Sequence, residues 1–428
     1  MCIWYTILDV FNLCFLKRCD CMKKKVMDLN SIKKVNRSVL LNILRDKGPM
    51  SRKDIAAISG LSAGAITIIA TEMLNEGIIK EAGLAERNGK AGRKKILLKI
   101  EKSHKFILGI NIEKDLTTIA ISNLNLSILS SKEFITDATL SPDRYLNEIV
   151  EKIKEVLWKL DISKGNILGI GVGIVGKVDP LNGISMDAYG IWEKEVDICG
   201  ILTKSFKLPV VVDNNVRALA LAEINCSKIK NIDDFVFIKH GPGIGAAIII
   251  NKKLIYGSEN QAGEIGHIIV DSKGPQCNCG QKGCLETVIS TRRMKKIVKQ
   301  VFSKTSMPVL FKLCQGDKTK IDTSMIFSAY EKGEVFIKNV IDDNITYIAT
   351  GVINLMRTLD PQKIVFFGEL FKFNSLMEEL VNKMESMLCD DSVKNKIVTS
   401  CLEYKSRAIG PLALALERLF YDTGAIYK

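Results

Sequence analysis

Between Glu264 and Glu286 the chain concentrates the side chains best able to do chemistry. Glu264-Ile265-Gly266-His267 is followed by Cys277-Asn278-Cys279-Gly280-Gln281-Lys282-Gly283-Cys284-Leu285-Glu286. One histidine and three cysteines with this spacing match a Cys3His set, the four soft or borderline ligands that tetrahedral zinc requires. Gly280 and Gly283 let the chain turn back tightly enough to return Cys284 to a metal. The competing reading, free cysteines in a reduced protein, does not explain Cys-x-Cys-x4-Cys around a glycine-rich spacer. Glu264 and Glu286 flank the ligand set. The pattern therefore predicts one structural zinc per chain that shapes a loop, with carboxylates binding something polar beside it.

The elements that must position these residues form a large α/β body. Phe106 to Ile112 reads as a buried strand, with Thr117 to Ser122 its hairpin partner and Leu126 to Ser130 a third strand. Tyr145 to Leu160 is amphipathic at helical spacing. Ile167 to Val175 is a further strand, ending at Gly176. Val210-Val211-Val212 runs into Asp213-Asn214-Asn215 and a helix, Val216 to Ile224. Phe235 to Ile238 leads into Gly241-Pro242-Gly243-Ile244-Gly245, and Ile364 to Phe367 ends at Gly368. Strands alternating with helices place binding sites at strand C-termini.

A smaller module precedes this body. The net charge of +13 is uneven: residues 1–100 hold 19 Lys and Arg against 9 Asp and Glu, and the rest hold 42 against 39. A basic module on a near-neutral body points to a polyanion. Asn36 to Arg45 reads as one helix, ended by Gly48-Pro49. Ser51 looks like the N-cap of a second, Arg52 to Ile58. Gly60 ends it, and Leu61-Ser62 opens a third that runs to about Asn75 and Gly77. Ile78 to Glu81 and Ile96 to Ile100 are strand-like. Three short helices and a hairpin make a winged helix-turn-helix. The third helix presents Ser62, Ala63, Gly64, Ala65 and Thr67, small enough to approach base edges. Arg52 and, in the wing, Arg87, Lys90, Arg93, Lys94 and Lys95 are the candidate phosphate or minor-groove contacts. The bland alternatives are a protein-interaction module and a merely solvated basic face.

The nine other cysteines are scattered and form no secreted framework, so a reducing cytoplasm is expected. Residues 1–16 are apolar but interrupted by Asp9 and Asn12, and are too short to span a bilayer. Residues 1–27 read as an unstructured extension or a mis-assigned start, with a partner-binding segment as the alternative. No later segment looks transmembrane. The expected layout is 1–27 extension, 28–100 DNA-binding domain, and 104–428 body, with the zinc loop at 264–286.

In Ala262-Gly-Glu-Ile-Gly-His267 and Cys277-x-Cys279-Gly-x-x-Gly-Cys284-Leu-Glu286 the chain resembles the ROK family, repressors and sugar kinases on an actin-like, two-lobed ATPase fold. The resemblance covers about residues 28 to 425. It implies zinc on His267, Cys277, Cys279 and Cys284, and sugar hydroxyls on Glu264, His267, Glu286 and the Asn214-Asn215 corner. The N-terminal module resembles that of the sugar-responsive branch, the xylose, glucose and N-acetylglucosamine repressors.

Four departures separate the chain from the family's kinases. Their Asn-Asp-x-Asn, whose Asp is the general base, is here Asn214-Asn215-Val216-Arg217, and an amide cannot take a proton at neutral pH. Their Asp-x-Gly-Gly-Thr phosphate loop is Asn111-Ile112-Glu113-Lys114-Asp115. Gly-Thr-Gly becomes Gly241-Pro242-Gly243, and Gly-Gly becomes Phe367-Gly368-Glu369. Phosphoryl transfer is therefore expected to be lost. The expectation is a repressor of carbohydrate-utilisation genes that binds operator DNA as a homodimer or higher oligomer. Its effector would be a monosaccharide, xylose- or glucose-like, in a degenerate kinase domain. The rivals are an ATP-dependent sugar kinase with a DNA-binding arm and a regulator that senses another partner.

Overall fold

The structure, a computed structural model, describes residues 29–84, 95–224, 229, 232–403 and 407–426. The chain divides into two compact units, Met1–Ile100 with Phe420–Lys428, and Glu101–Leu419.

In the first unit, α1 (Leu29–Lys47), α2 (Arg52–Ser59) and α3 (Ala63–Asn75) pack with a three-stranded antiparallel sheet. The sheet order is β1 (Met50–Ser51), β3 (Ile96–Ile100), β2 (Ile79–Leu84). Ser51 and Ser62 cap α2 and α3 by accepting from the amides of Asp54 and Ala65, and Gly60 closes α2 with a left-handed φ. The core of this unit is Leu40, Leu41, Leu44, Ile55, Ile66, Ala70, Met73 and Leu98. α1 begins seven residues before the expected Asn36. Ile32 and Val35 lie exposed on that added stretch, so no buried apolar stripe marked it. The expected extension and the wing residues Arg87, Lys90, Arg93 and Lys94 lie outside the described residues.

The second unit holds two five-stranded sheets with the same topology. The first orders β11 (Val210–Asn214), β7 (Ile167–Ile174), β4 (Phe106–Ile112), β5 (Leu116–Asn123) and β6 (Ile128–Ile135). The second orders β16 (Ile397–Thr399), β15 (Lys363–Phe367), β12 (Phe235–His240), β13 (Ile244–Ile250) and β14 (Lys253–Ile255). In each, one central strand has an antiparallel hairpin on one side and parallel strands on the other. A small antiparallel sheet, β8 (Lys177–Asp179), β9 (Ile184–Asp187) and β10 (Val196–Asp197), follows β7.

α4 (Pro142–Lys159) and α5 (Ile198–Phe206) pack on the first sheet around Tyr145, Ile149, Ile153, Leu202 and Phe206. The second sheet is covered by helices between residues 285 and 388. These are α7 (Leu285–Ile289), α8 (Thr291–Val301), α9 (Pro308–Leu313), α10 (Thr323–Glu331), α11 (Val335–Leu359) and α12 (Asn374–Leu388). α6 (Asn215–Ile224) and α13 (Ile409–Leu416) supply a core shared with β12, β13 and β15. α13 lies directly on β7: a Cβ at Gly171 would stand 1.9 Å from the Pro411 carbonyl oxygen. That close approach explains the glycine-rich reading of the strand. No helix among the described residues is long and apolar enough to cross a membrane.

Candidate functional site

The register of the first sheet aligns its C-terminal ends. Ile174 stands opposite both Ile112 and Asn214, so Glu113, Val175-Gly176 and Asn215 emerge side by side. Asn214 is committed to backbone: its Nδ2 donates to the Gly176 carbonyl at 2.9 Å, and its Oδ1 accepts from the Val216 amide at 2.8 Å. It thereby holds the strand end and the start of α6 together. Asn215 is buried, and its Nδ2 donates to Glu113 Oε1 at 3.0 Å.

Glu113 also takes Lys239 Nζ at 2.5 Å and Arg407 at 3.0 Å. Burial alone would raise this carboxyl, but Lys239 and Arg407 outweigh it and hold the group below the usual carboxylate range. The Glu113 amide closes a tight turn onto the Leu116 carbonyl at 3.1 Å, and the Thr136 hydroxyl donates to the Glu113 carbonyl at 2.7 Å. The Glu113 backbone is thus tied at both its amide and its carbonyl.

Glu264, His267 and Glu286 come together beside this corner. His267 Nε2 lies 3.8 Å from Glu264 Oε2. Glu286 accepts the Ile244 amide at 3.2 Å, and a Cβ at Gly243 would stand 2.5 Å from its Oε2. The glycine after Pro242 therefore makes room for a carboxylate. Burial pushes the Glu264 carboxyl up; His267 and Arg217 pull it down, and Glu286 pushes it up again. Arg217 follows Asn215 by two residues and Lys177 follows Gly176, and the charges of both act on Glu264. These links tie the strand-end corner to the carboxylate pair.

His267 Nδ1 faces the other way, 3.6 Å from Cys277 Sγ, and Cys279 and Cys284 sulfurs are 3.6 Å apart. One ligand atom from each of His267, Cys277, Cys279 and Cys284 lies within 4.8 Å of the others. Zinc–sulfur bonds of about 2.3 Å in a tetrahedron separate ligand atoms by about 3.5–3.8 Å, so the donor set fits zinc. Burial and hydrogen bonds from the neighbouring thiols push Cys284 up to about 12. Gly280 and Gly283 both adopt positive φ, as the turn back to Cys284 requires.

Two features of this region carried no sequence motif. Tyr189, in the turn between β9 and β10, sets its ring edge-on to His267 with centroids 6.1 Å apart. Burial and the charges of Glu264, Asp187 and Glu286 raise its phenol. Lys239 and Arg407, which hold Glu113, are 126 and 294 residues from it in sequence.

Behind the corner, fully buried Asp213 takes Arg217 Nε at 2.6 Å and the Tyr256 hydroxyl at 2.9 Å, and Arg418 donates to that hydroxyl at 2.7 Å.

In the first unit, Ser62, Ala63, Gly64 and Thr67 are exposed at the start of α3 and Ala65 is half-buried. The Thr67 hydroxyl donates back to the Ala63 carbonyl at 2.7 Å, leaving its methyl and an oxygen lone pair outward. Ile68 beside it is 63% exposed, an apolar contact the sequence reading passed over. Arg52 is half-buried, and its Nε has no hydrogen-bond partner. Lys95, grouped by sequence with the wing cations, pairs its ammonium with Asp54 at 2.7 Å.

The model of the ROK family matches residues 107–418. A winged helix-turn-helix DNA-binding model matches residues 36–80. The xylose repressor of Caldicellulosiruptor bescii is 26% identical over 391 residues, covering 90% of this chain and 96% of that protein. The DNA-binding transcriptional dual regulator NagC of Escherichia coli is 27% identical over 410 residues, covering 91% and 94%. Among solved structures, a ROK family transcriptional regulator, a homologue of the E. coli MLC protein, superposes with a TM-score of 0.77 at 25% identity, over 92% of this chain and 97% of that one. A ROK family glucokinase from Streptomyces griseus, with glucose and AMPPNP, gives 0.60 at 23% identity over 72% and 98%.

Proposed function

The chain belongs to the ROK family, and from that premise we propose that it is a DNA-binding repressor of carbohydrate-utilisation genes whose ROK domain senses a sugar without phosphorylating it. One observation carries the reading. At the strand end where the family resemblance would put phosphate, the chain's own Glu113 is held by Lys239, Arg407 and Asn215, while Glu264, His267 and Glu286, the proposed hydroxyl partners, stay grouped. A buried carboxylate there opposes a nucleotide phosphate by charge and by occupancy, and phosphoryl transfer depends on phosphate positioning. The xylose repressor and NagC support the regulatory half of the reading.

Asn215, Glu264, His267 and Glu286 are the hydroxyl partners, with Asn214 holding the corner. Carboxylates accept hydroxyl protons, and the amide and imidazole add directional contacts. Bound at His267, Cys277, Cys279 and Cys284, zinc would supply a fixed geometry with no open position for chemistry. His267 would meet it through Nδ1 and keep Nε2 toward Glu264, so metal and sugar share one ring. A xylose- or glucose-like effector fits this set. α3 would enter the major groove with Ser62, Ala63, Gly64, Ala65 and Thr67, while Arg52 and the wing residues Arg87, Lys90, Arg93 and Lys94 contact phosphates. A pseudo-palindromic operator would be read by a homodimer in the cytoplasm.

The test uses the full chain and a duplex selected from a random pool. Operator affinity is measured with and without xylose, glucose and N-acetylglucosamine, beside a labelled-ATP assay on the same sugars. Altered operator affinity and no sugar phosphate are expected. Sugar phosphate from the wild-type chain would replace this reading by a kinase with a DNA-binding arm. Specific operator binding that no sugar alters would replace it by a regulator answering to another partner.

A further inference from the structure

We infer that Glu113 is a positioning residue for the effector: it turns the Asn215 amide so that Oδ1, and not Nδ2, faces a sugar hydroxyl. The inference rests on the sugar-sensing reading above and assigns the polarity of one of its contacts.

Glu113 receives two cations, Lys239 Nζ at 2.5 Å and Arg407 at 3.0 Å. A carboxylate in that company is ionised and only accepts hydrogen bonds. The atom of Asn215 that faces it at 3.0 Å must therefore be the amide nitrogen, whichever way the amide is first drawn. Oδ1 then points away from Glu113. It takes no hydrogen bond among the described residues and is not sealed from solvent, although the residue is only 3% exposed. Asn214, its neighbour, has both ends of its amide occupied by backbone. Asn215 Oδ1 is thus the free acceptor of the corner.

Asn215 matches the position where the family's kinases carry their general base. A fixed amide oxygen there accepts the hydrogen bond of a hydroxyl, as an aspartate would, and cannot remove its proton. Recognition is kept at the position where reaction is lost. An aspartate at 215 would not reproduce this in the present chain. Its second oxygen would lie about 3 Å from Glu113, and the two like charges would repel until one carboxylate takes a proton on acidification.

The experiment is a double-mutant cycle of Asn215→Asp and Glu113→Gln on the full chain. It reads sugar affinity by calorimetry, with xylose, glucose and N-acetylglucosamine as probes, and melting temperature. We expect Asn215→Asp to weaken the sugar at least about tenfold at pH 7.5, with partial recovery at pH 5.5 as the extra carboxylate takes a proton. Glu113→Gln alone should weaken it a few-fold, because a neutral amide no longer dictates which way Asn215 turns. The double variant should bind within about threefold of wild type, since the amide introduced at position 113 can donate to the carboxylate introduced at position 215. Additive losses, or no pH recovery in Asn215→Asp, would overturn the inference while leaving sugar sensing intact. If Asn215→Asp does not fold, recovery of a cooperative melt in the double variant supports the coupling and its absence refutes it. If the wild type binds none of the three sugars, the sensing reading falls and this inference falls with it.

Discussion

His267 uses its two ring nitrogens for different neighbours, Cys277 on one side and Glu264 on the other. With metal and sugar bound as proposed, such a ring would pass the order of the metal loop to the ligand contact, and its loss would remove both. Glu286 is the cleaner place to test the sugar contact, because it lies outside the thiol cluster. Glu286→Ala should weaken the effector by about 1.5–3 kcal/mol, the worth of a hydrogen bond to a charged group, with operator binding in the absence of sugar unchanged. Calorimetry and gel shift on one preparation check this, and lost operator binding with unchanged sugar affinity would reverse the roles of the two regions. Glu113 sets a pH dependence. Its folded carboxyl lies below the ordinary value because Lys239 and Arg407 outweigh burial. The stability it contributes is therefore present above the unfolded value of about 4.3 and is lost as pH falls through the folded one. Melting curves of wild type should fall more steeply on acidification in that window than those of Glu113→Gln. Equal slopes would show that the cluster is not what holds the corner.

The loop proposed to hold zinc is an element with little apolar burial of its own: Cys277 and Cys284 are buried, but Cys279 and the residues around Gly280 are exposed. Its order must come from the ligand set and from the close pass at Gly283, where a Cβ would lie 1.5 Å from the Asp271 carbonyl oxygen. Cys279→Ser should abolish stoichiometric zinc and the sugar response together while operator binding persists. Metal analysis below half an equivalent in the wild type would refute the site. This loop was legible in the sequence because its residues are local, and so were α2 and α3, which carry their own punctuation at Ser51, Gly60, Ser62 and Gly77. β1 was missed because two residues give no periodicity. The helices between 285 and 388 carry no chemical motif and went unassigned from sequence. The Glu113 cluster joins four segments far apart in the chain, and no local pattern announces such a meeting. Sequence alone does not show how a carboxylate is accommodated at position 113; in the structure two cations and an amide satisfy it.

At the scale of the molecule, the first unit is not a contiguous stretch of chain. Residues 420–428 belong with 1–100. Arg37 of α1, only 1% exposed, donates Nε to the Gly424 carbonyl at 2.8 Å and pairs with Glu76, the C-cap of α3, its second guanidinium nitrogen reaching a carboxylate oxygen at 2.9 Å. Arg45 lies over the Tyr421 ring at 4.5 Å. The terminal segment thus completes the surroundings of a buried cation on the helix that supports α3. The same segment follows directly on α13 and Arg418, whose partner Tyr256 is bonded to Asp213 beside the Asn214-Asn215 corner. Were a sugar to shift that corner, as proposed, covalent continuity would offer a route to the first unit, one that needs a two-state element to count as coupling. Removing residues 420–428 should leave Arg37 buried without one acceptor, at a cost of about 1–3 kcal/mol or more for a charged group. Operator affinity should fall while zinc content and sugar affinity, which belong to the second unit, stay unchanged. Arg37→Met, which removes the charge and keeps the packing, should lessen the cost of the truncation without abolishing it, because buried Phe420 and Tyr421 are lost as well. A truncated wild-type chain that binds operator at full strength and still releases or tightens with sugar would show that the terminal segment neither supports the reading head nor carries the signal.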